Sequence, residues 1–284
     1  MATKIQLRPV DWGVLGYIVV ASGVTISRLG RFPGVEWALP VYSLAAALVL
    51  LLAMPGLGQL GRTLRELYPL LLVVLFYGAL DLMAGQAALT THDRTVQAWE
   101  TALFGGQVSR TWWQRFPSPF WSAALHGVYA SYYPVIMAGP IGFLARGDHQ
   151  NLRRTVTAIA ATYGICFLIF MFYPVAGPNY EFPRPAPEFL DNAPASLVYA
   201  LLHRGSSYGA AFPSSHVAAA LVAALVTLRG WRALGLVLLV PSVILPFAVV
   251  YTQMHYAVDA LAGVVVGLGV YGTARLLERR EKRR

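Results

Sequence analysis

His255 and Asp259 stand four residues apart, and an upstream Phe212-Pro213-Ser214-Ser215-His216 ends in a second histidine. Residues at i and i+4 share one face of a helix, so the Asp259 carboxylate can hold one imidazole nitrogen of His255. The other nitrogen then has its tautomer fixed and its basicity raised, which is what an imidazole needs to act as a nucleophile. His216, brought in at another helix mouth, can protonate a leaving group. The predicted trio is His255, His216 and Asp259.

The elements that must position these residues are membrane helices. Mean hydropathy is +0.55, with 57% apolar and 12% charged residues, and soluble domains carry roughly twice that charged fraction. Long apolar stretches recur along the whole chain, too many for one buried core. The expected fold is all-α, a polytopic transmembrane bundle with eight spans near 11–28, 36–54, 67–88, 119–145, 154–173, 213–229, 233–252 and 255–277. The sixth is short, and Pro241 and Pro246 in the seventh predict kinks. The first span is read as retained rather than cleaved. The single cysteine, Cys166, lies in an apolar segment and reads as a packing residue.

Charge placement sets the expected orientation. The net charge of +9 does not mark a nucleic-acid partner, because the basic residues sit in short clusters between spans and in the tail 278–284. With both termini on one side, fifteen Lys and Arg fall on that side and seven on the other, which favours cytoplasmic termini. Both histidine motifs then emerge on the non-cytoplasmic side. Twenty of the 22 basic residues are arginine, which points to a GC-rich bacterial source and a bacterial inner membrane.

Two connections on the far side carry further candidates. His92 to Phe104 reads as a short amphipathic helix with Val96, Trp99 and Leu103 on one stripe, an interfacial strut or lid. The segment from Pro174 to about Phe212 is long, rich in Pro and Gly, and leads into the first histidine motif; loops of that length are usually functional. It carries Asn179, Arg184, His203 and Arg204. Asp81, near the outer end of the third span, is a costly intramembrane carboxylate that can orient His216 or bond a neighbouring helix. His126 reads as a satisfied interhelical residue. No Cys/His/carboxylate cluster has metal-ligand spacing and no dinucleotide fingerprint is present, so no cofactor is expected.

Phe212-Pro213-Ser214-Ser215-His216, followed after one helical hairpin by His255-Tyr256-Ala257-Val258-Asp259, resembles the type 2 phosphatidic acid phosphatase superfamily. The resemblance is nearest the branch of inositol phosphorylceramide and sphingomyelin synthases. It implies a six-helix phosphatase-type core over 67–277, with residues 1–66 as about two added N-terminal spans and 278–284 as a basic cytoplasmic tail, all within one membrane domain. The superfamily pattern is K-x6-R-P, P-S-G-H and S-R-x5-H-x3-D. By it, His255 forms a phosphohistidine, Asp259 orients it and His216 is the general acid. Ser214 matches the motif serine and Ser215 replaces the glycine. Their hydroxyls and the free N–H groups of this helix start would seat a phosphate.

The departures bear on substrate. Ala248 and Val249 stand where Ser-Arg is usual, and Gly177 stands at the lysine position before Arg184-Pro185. The run Tyr173 to Tyr180, with Asn179, is an alternative equivalent of that first motif. A phosphomonoester carries close to two negative charges, and phosphoryl transfer needs fixed positive charge around it. A cation-poor site suits a singly charged phosphodiester. The expectation is therefore transfer of a phosphorylated headgroup from a phosphodiester lipid to an alcohol acceptor. The alternative is hydrolysis of a lipid phosphate, with Arg184 and Arg204 restoring the charge. A non-catalytic membrane protein is the remote third reading. The expected partners are membrane lipids and the bilayer; oligomeric state is left open.

Overall fold

The computed structural model describes residues 5–84, 89–205 and 207–281. The side chains of His203, Arg204 and Glu281 lie outside the described set, as do Lys4 and the tail residues Lys282, Arg283 and Arg284. The described chain is all-α. In order it forms α1 (Pro9–Arg28), a 3-10 turn (Val35–Trp37), α2 (Ala38–Leu52), α3 (Gln59–Met83), α4 (Asp93–Phe104) and α5 (Val108–Arg115). Then come α6 (Pro119–Ala130), α7 (Tyr132–Ala145), α8 (His149–Phe172), α9 (Pro178–Glu181) and α10 (Pro187–Leu190). The chain ends with α11 (Ala193–Gly205), α12 (Ser215–Gly230), α13 (Arg232–Tyr251) and α14 (Ala257–Glu281).

Seven helical stretches are long and apolar enough to cross a membrane, and the protein is an integral membrane protein. They match the expected first to fifth, seventh and eighth spans, with the fourth built from α6 and α7 joined at Ser131. The sixth expected span is α12, only 16 residues long. At 1.5 Å per residue it rises about 24 Å, short of a ~30 Å hydrocarbon core. It is the innermost helix, packed by α7, α8, α13 and α14, and Val217 to Ala220 and Val222 to Ala224 are fully buried. A helix enclosed by protein need not match the bilayer's thickness. Its alanines let four neighbours approach closely.

Local signals fix where the site-bearing helices begin. Ser214 caps α12 by accepting the Val217 N–H at 3.4 Å. Asp148 caps α8 by accepting the Asn151 N–H at 3.1 Å, and Pro9 and Pro119 occupy the first turns of α1 and α6. The expected prolines of the seventh span lie inside α13, which runs through Pro241 and Pro246.

The two ends of the bundle differ. At one end Glu66 of α3 pairs with Arg8 at 3.1 Å and Arg153 at 2.8 Å. There too Glu278 of α14 pairs with Arg229 at 2.7 Å and Arg154 at 3.4 Å. At the other end Arg28 donates to the carbonyls of Met83 and Met171, the last residues of their turns in α3 and α8, at 3.0 and 2.8 Å. The histidine motifs sit at this second end, because α12 and α14 start there and finish at the ion pairs.

Candidate active site

Close helix packing brings the two motifs together. A Cβ on Gly263 of α14 would stand 2.5 Å from the Ser214 carbonyl oxygen, and one on Gly267 would stand 2.9 Å from that of Ala218. Only glycine lets the first three turns of α14 lie directly on the start of α12. The main chains are also bonded: the Ser214 N–H donates to the Asp259 carbonyl at 2.9 Å. His216 and His255 are thereby set with ring centroids 5.6 Å apart at 61°.

Asp259 is fully buried, and its Oδ2 lies 3.4 Å from His255 Nδ1 while accepting the Tyr256 N–H at 2.9 Å. The separation is longer than a good hydrogen bond, but the register is the one the i, i+4 spacing predicts. Burial pushes the His255 imidazole down to about 4, opposed by a hydrogen bond with the Ala211 main chain. Near pH 7 it is neutral, the state in which a ring nitrogen holds a lone pair for attack. The Tyr129 hydroxyl lies 3.4 Å from His216 Nε2, and the Tyr132 ring is 4.4 Å from the His216 ring. The Tyr132 hydroxyl bonds that of Tyr163. His216 is only half-buried, whereas His255 is buried.

The other expected residues are placed unevenly. Ser214 is spent as the α12 cap, and Ser215 is buried in the first turn. The first internal bond of α12 is Ala218 N–H to the Ser214 carbonyl. The N–H groups of Ser215 and His216 therefore lie outside the helical ladder. Asn179 is half-buried on α9, and exposed Arg184 lies 5.6 Å over the Tyr199 ring rather than in a described contact with either histidine. Asp81 is exposed at the end of α3, and His216's described ring and hydrogen-bond partners are Tyr129, Tyr132 and His255. His126 Nδ1 bonds the Ser122 carbonyl at 2.8 Å, while its buried Nε2 has no partner among the described residues.

The connection after the third span departs from its expected pattern. On α4 the buried stripe is Asp93, Val96 and Glu100, while Trp99 and Leu103 are exposed. Two carboxylates turn inward because main-chain donors meet them. Asp93 accepts the N–H groups of Ala176 and Gly177 at 2.8 Å each, and the Tyr256 hydroxyl at 3.0 Å. Gln97 donates to the same Tyr256 hydroxyl at 2.9 Å. Glu100 Oε1 accepts the Ser109 N–H at 3.2 Å and the Ala257 N–H at 3.4 Å. Burial pushes Glu100 up to about 7, with those N–H bonds opposing and the Asp259 charge adding. Thus α4 grips residues 256 and 257, directly after His255. Neither acid is among the expected site residues, although their i, i+7 spacing with Val96 between them marks a single helix face.

The held loop closes the arrangement. Val175 and Ala210 form a short parallel bridge, and Ala211 of the same stretch bonds His255. Gln253 accepts from Trp113 at 2.9 Å and donates to the Pro183 carbonyl at 2.8 Å. Among the described residues no group of three His, Cys, Asp or Glu side chains could hold a metal ion. Two facing imidazoles, a carboxylate behind one and unbonded N–H groups beside the other can support nucleophilic displacement at phosphorus.

A family model described as the PAP2 superfamily matches residues 94–273. No curated protein and no solved structure matched the chain.

Proposed function

Because the chain belongs to the PAP2 superfamily and is a membrane enzyme of the phosphatase or phosphotransferase kind, we propose that it transfers a phosphorylated headgroup from a phosphodiester lipid to an alcohol acceptor. The observation that carries the chemistry is the facing of His216 and His255 at 5.6 Å, with Asp259 set against His255.

In the first step a lone pair on His255 forms an N–P bond, and the P–O bond to the lipid's diglyceride oxygen breaks. His216 gives its proton to that oxygen; the anionic substrate beside it favours the protonated ring. The headgroup phosphate is left on His255. In the second step an acceptor hydroxyl loses its proton to His216 and attacks phosphorus, the N–P bond breaks and His255 is regenerated. Asp259 holds the ring through both steps. The Ser215 and His216 N–H groups, at a helix start, stabilise the non-bridging oxygens.

The choice of a diester rests on charge. The histidines' described partners are tyrosines, a carboxylate and main chain, with no arginine or lysine among them. A singly charged phosphate needs less positive charge than a terminal one. Asn179, Arg184 and Arg204 approach from the α9–α11 connection in this reading, and Asp81 is a supporting group at the rim. Residues 67–277 form the catalytic core, 1–66 are added spans and 278–284 a cytoplasmic tail. The histidine end faces the non-cytoplasmic side of a bacterial inner membrane. Purified enzyme offered phosphomonoester and phosphodiester lipids, with and without alcohol acceptors, tests this by mass spectrometry. Headgroup exchange without free phosphate is the expected result. Release of inorganic phosphate alone would replace the transferase with a lipid phosphate phosphatase.

A further inference from the structure

A cleft of about 560 Å³ separates α1 from α3 and α8. It exists because the facing residues are small or lack bulk at the contact: Gly13 and Gly16 on α1, Ala160, Ala161 and Gly164 on α8. A Cβ added at Gly13, Gly16 or Gly164 would meet no heavy atom within 4 Å. The rest of the lining is mainly apolar, with Leu72, Val73 and Phe76 from α3, and its polar side chains are Tyr17, Thr157 and Tyr163. Walls that face nothing forfeit their dispersion contacts. Inside a bilayer the available filler is an acyl chain.

A second cavity, of about 700 Å³, caps the cleft at the ion-pair end of the bundle. The same three helices supply both, in order of depth. Arg8 precedes Pro9 on α1, Glu66 precedes Pro69 on α3, and Arg153 precedes Thr157 on α8. The upper lining holds four arginines, Arg8, Arg62, Arg65 and Arg153, against one carboxylate, Glu66. Glu66 is taken by Arg8 and Arg153. Arg65 donates to the Gln6 carbonyl and lies 4.0 Å from Asp11, at the limit of an ion pair, and exposed Arg62 donates to the Leu57 carbonyl at 3.3 Å. Positive charge is in surplus directly above an apolar slot.

We propose that this junction between the added spans and the core binds one anionic phospholipid, its phosphate on Arg62 and Arg65 and an acyl chain between α1, α3 and α8. The site lies at the opposite end of the bundle from the histidines and does not depend on how they react. Head and tail demands together select the ligand: free phosphate lacks the chain, and a zwitterionic lipid lacks the net charge that the arginines match.

Delipidated full-length protein in detergent is titrated with phosphatidylglycerol, phosphatidylcholine or inorganic phosphate, and the unfolding midpoint is followed. Phosphatidylglycerol should raise it by about 4 °C or more, as a ligand bound only by the folded state does, and the other two should leave it within a degree. Arg62→Gln should cut the shift to that of phosphatidylcholine. Gly164→Leu, which grows into the open cleft, should abolish the shift while raising or keeping the starting midpoint. His255→Gln should keep the full shift, which separates this site from the reacting one. Equal shifts from both lipids, a shift from phosphate alone, or a shift lost only in His255→Gln would each overturn the proposal.

Discussion

At the ion-pair end of the bundle Glu66 and Glu278 are answered by arginines; at the histidine end Asp93 and Glu100 are answered by main-chain N–H groups and a phenol. Glu66, itself buried, and half-buried Glu278 each bridge two arginines, and the Arg153 and Arg229 partners reach the surface. Asp93, Glu100 and Asp259 are buried at 3% exposure or less, and among the described residues none is paired with an arginine or lysine. Surface ion pairs contribute about 0–1 kcal/mol and are screened by salt. A buried carboxylate held by N–H donors is fixed in direction, and its remaining charge stays local. Charge at the first end fastens helices to one another. At the second it fixes the backbone next to His255 and, on the proposed function, would aim that ring without cancelling an incoming phosphate's partners.

Substitutions can break this contrast. The largest effect is expected from His255→Gln, which should lower turnover by at least about 1,000-fold, measured as headgroup release in proteoliposomes, with helicity unchanged. Asp259→Asn should follow with a loss of about 100-fold or more, since the amide no longer favours one tautomer. Full turnover in either variant would remove the phosphohistidine. Next, Gly263→Ala should force α14 off the Ser214 carbonyl, costing about 1–3 kcal/mol of stability and a large share of kcat. An unchanged kcat would mean the two imidazoles need no fixed spacing.

Glu100 supplies the pH arm. Burial holds its folded value near 7, above the 4.5 of an ordinary glutamate, so its contribution to stability is complete below about 4.5 and is lost as pH rises through about 7. Glu100→Gln should therefore flatten the fall in unfolding midpoint between pH 5 and 8. The same slope in wild type and variant would show that Glu100 does not titrate in that window. The smallest effect belongs to the other end: Arg229→Gln should cost under about 1 kcal/mol and leave turnover at wild-type level. A catalytic defect there would erase the distinction between the ends.

What could be read from the sequence follows from range. His255 and Asp259 lie one turn apart, so their shared face is a property of four residues. Apolar length likewise gave seven of the eight spans. The remaining one, the sixth, α12, falls short because a helix surrounded by protein answers to its neighbours rather than to lipid. Asp93 and Glu100 were passed over because their partners are distant: Tyr256 lies 163 positions from Asp93, and Ala257 lies 157 from Glu100. Within Asp93-Arg94-Thr95-Val96-Gln97-Ala98-Trp99-Glu100 they look like a wetted face, and the aromatic Trp99 drew attention to the wrong side. The signal lay in chain-wide scarcity, since 13 acids serve 284 residues and two of them share one stripe of one short helix.

The contact of Gly263 and Gly267 with the start of α12 also constrains how such an enzyme diversifies. With no slack between the two helices, the histidine frame cannot widen to admit a bulkier lipid. Room for a larger ligand has to come from the Pro-rich connection that carries α9 to α11. A phosphate-mimicking inhibitor aimed at the paired imidazoles would therefore meet the rigid part of the molecule, and adjustable contacts would have to be built against that connection.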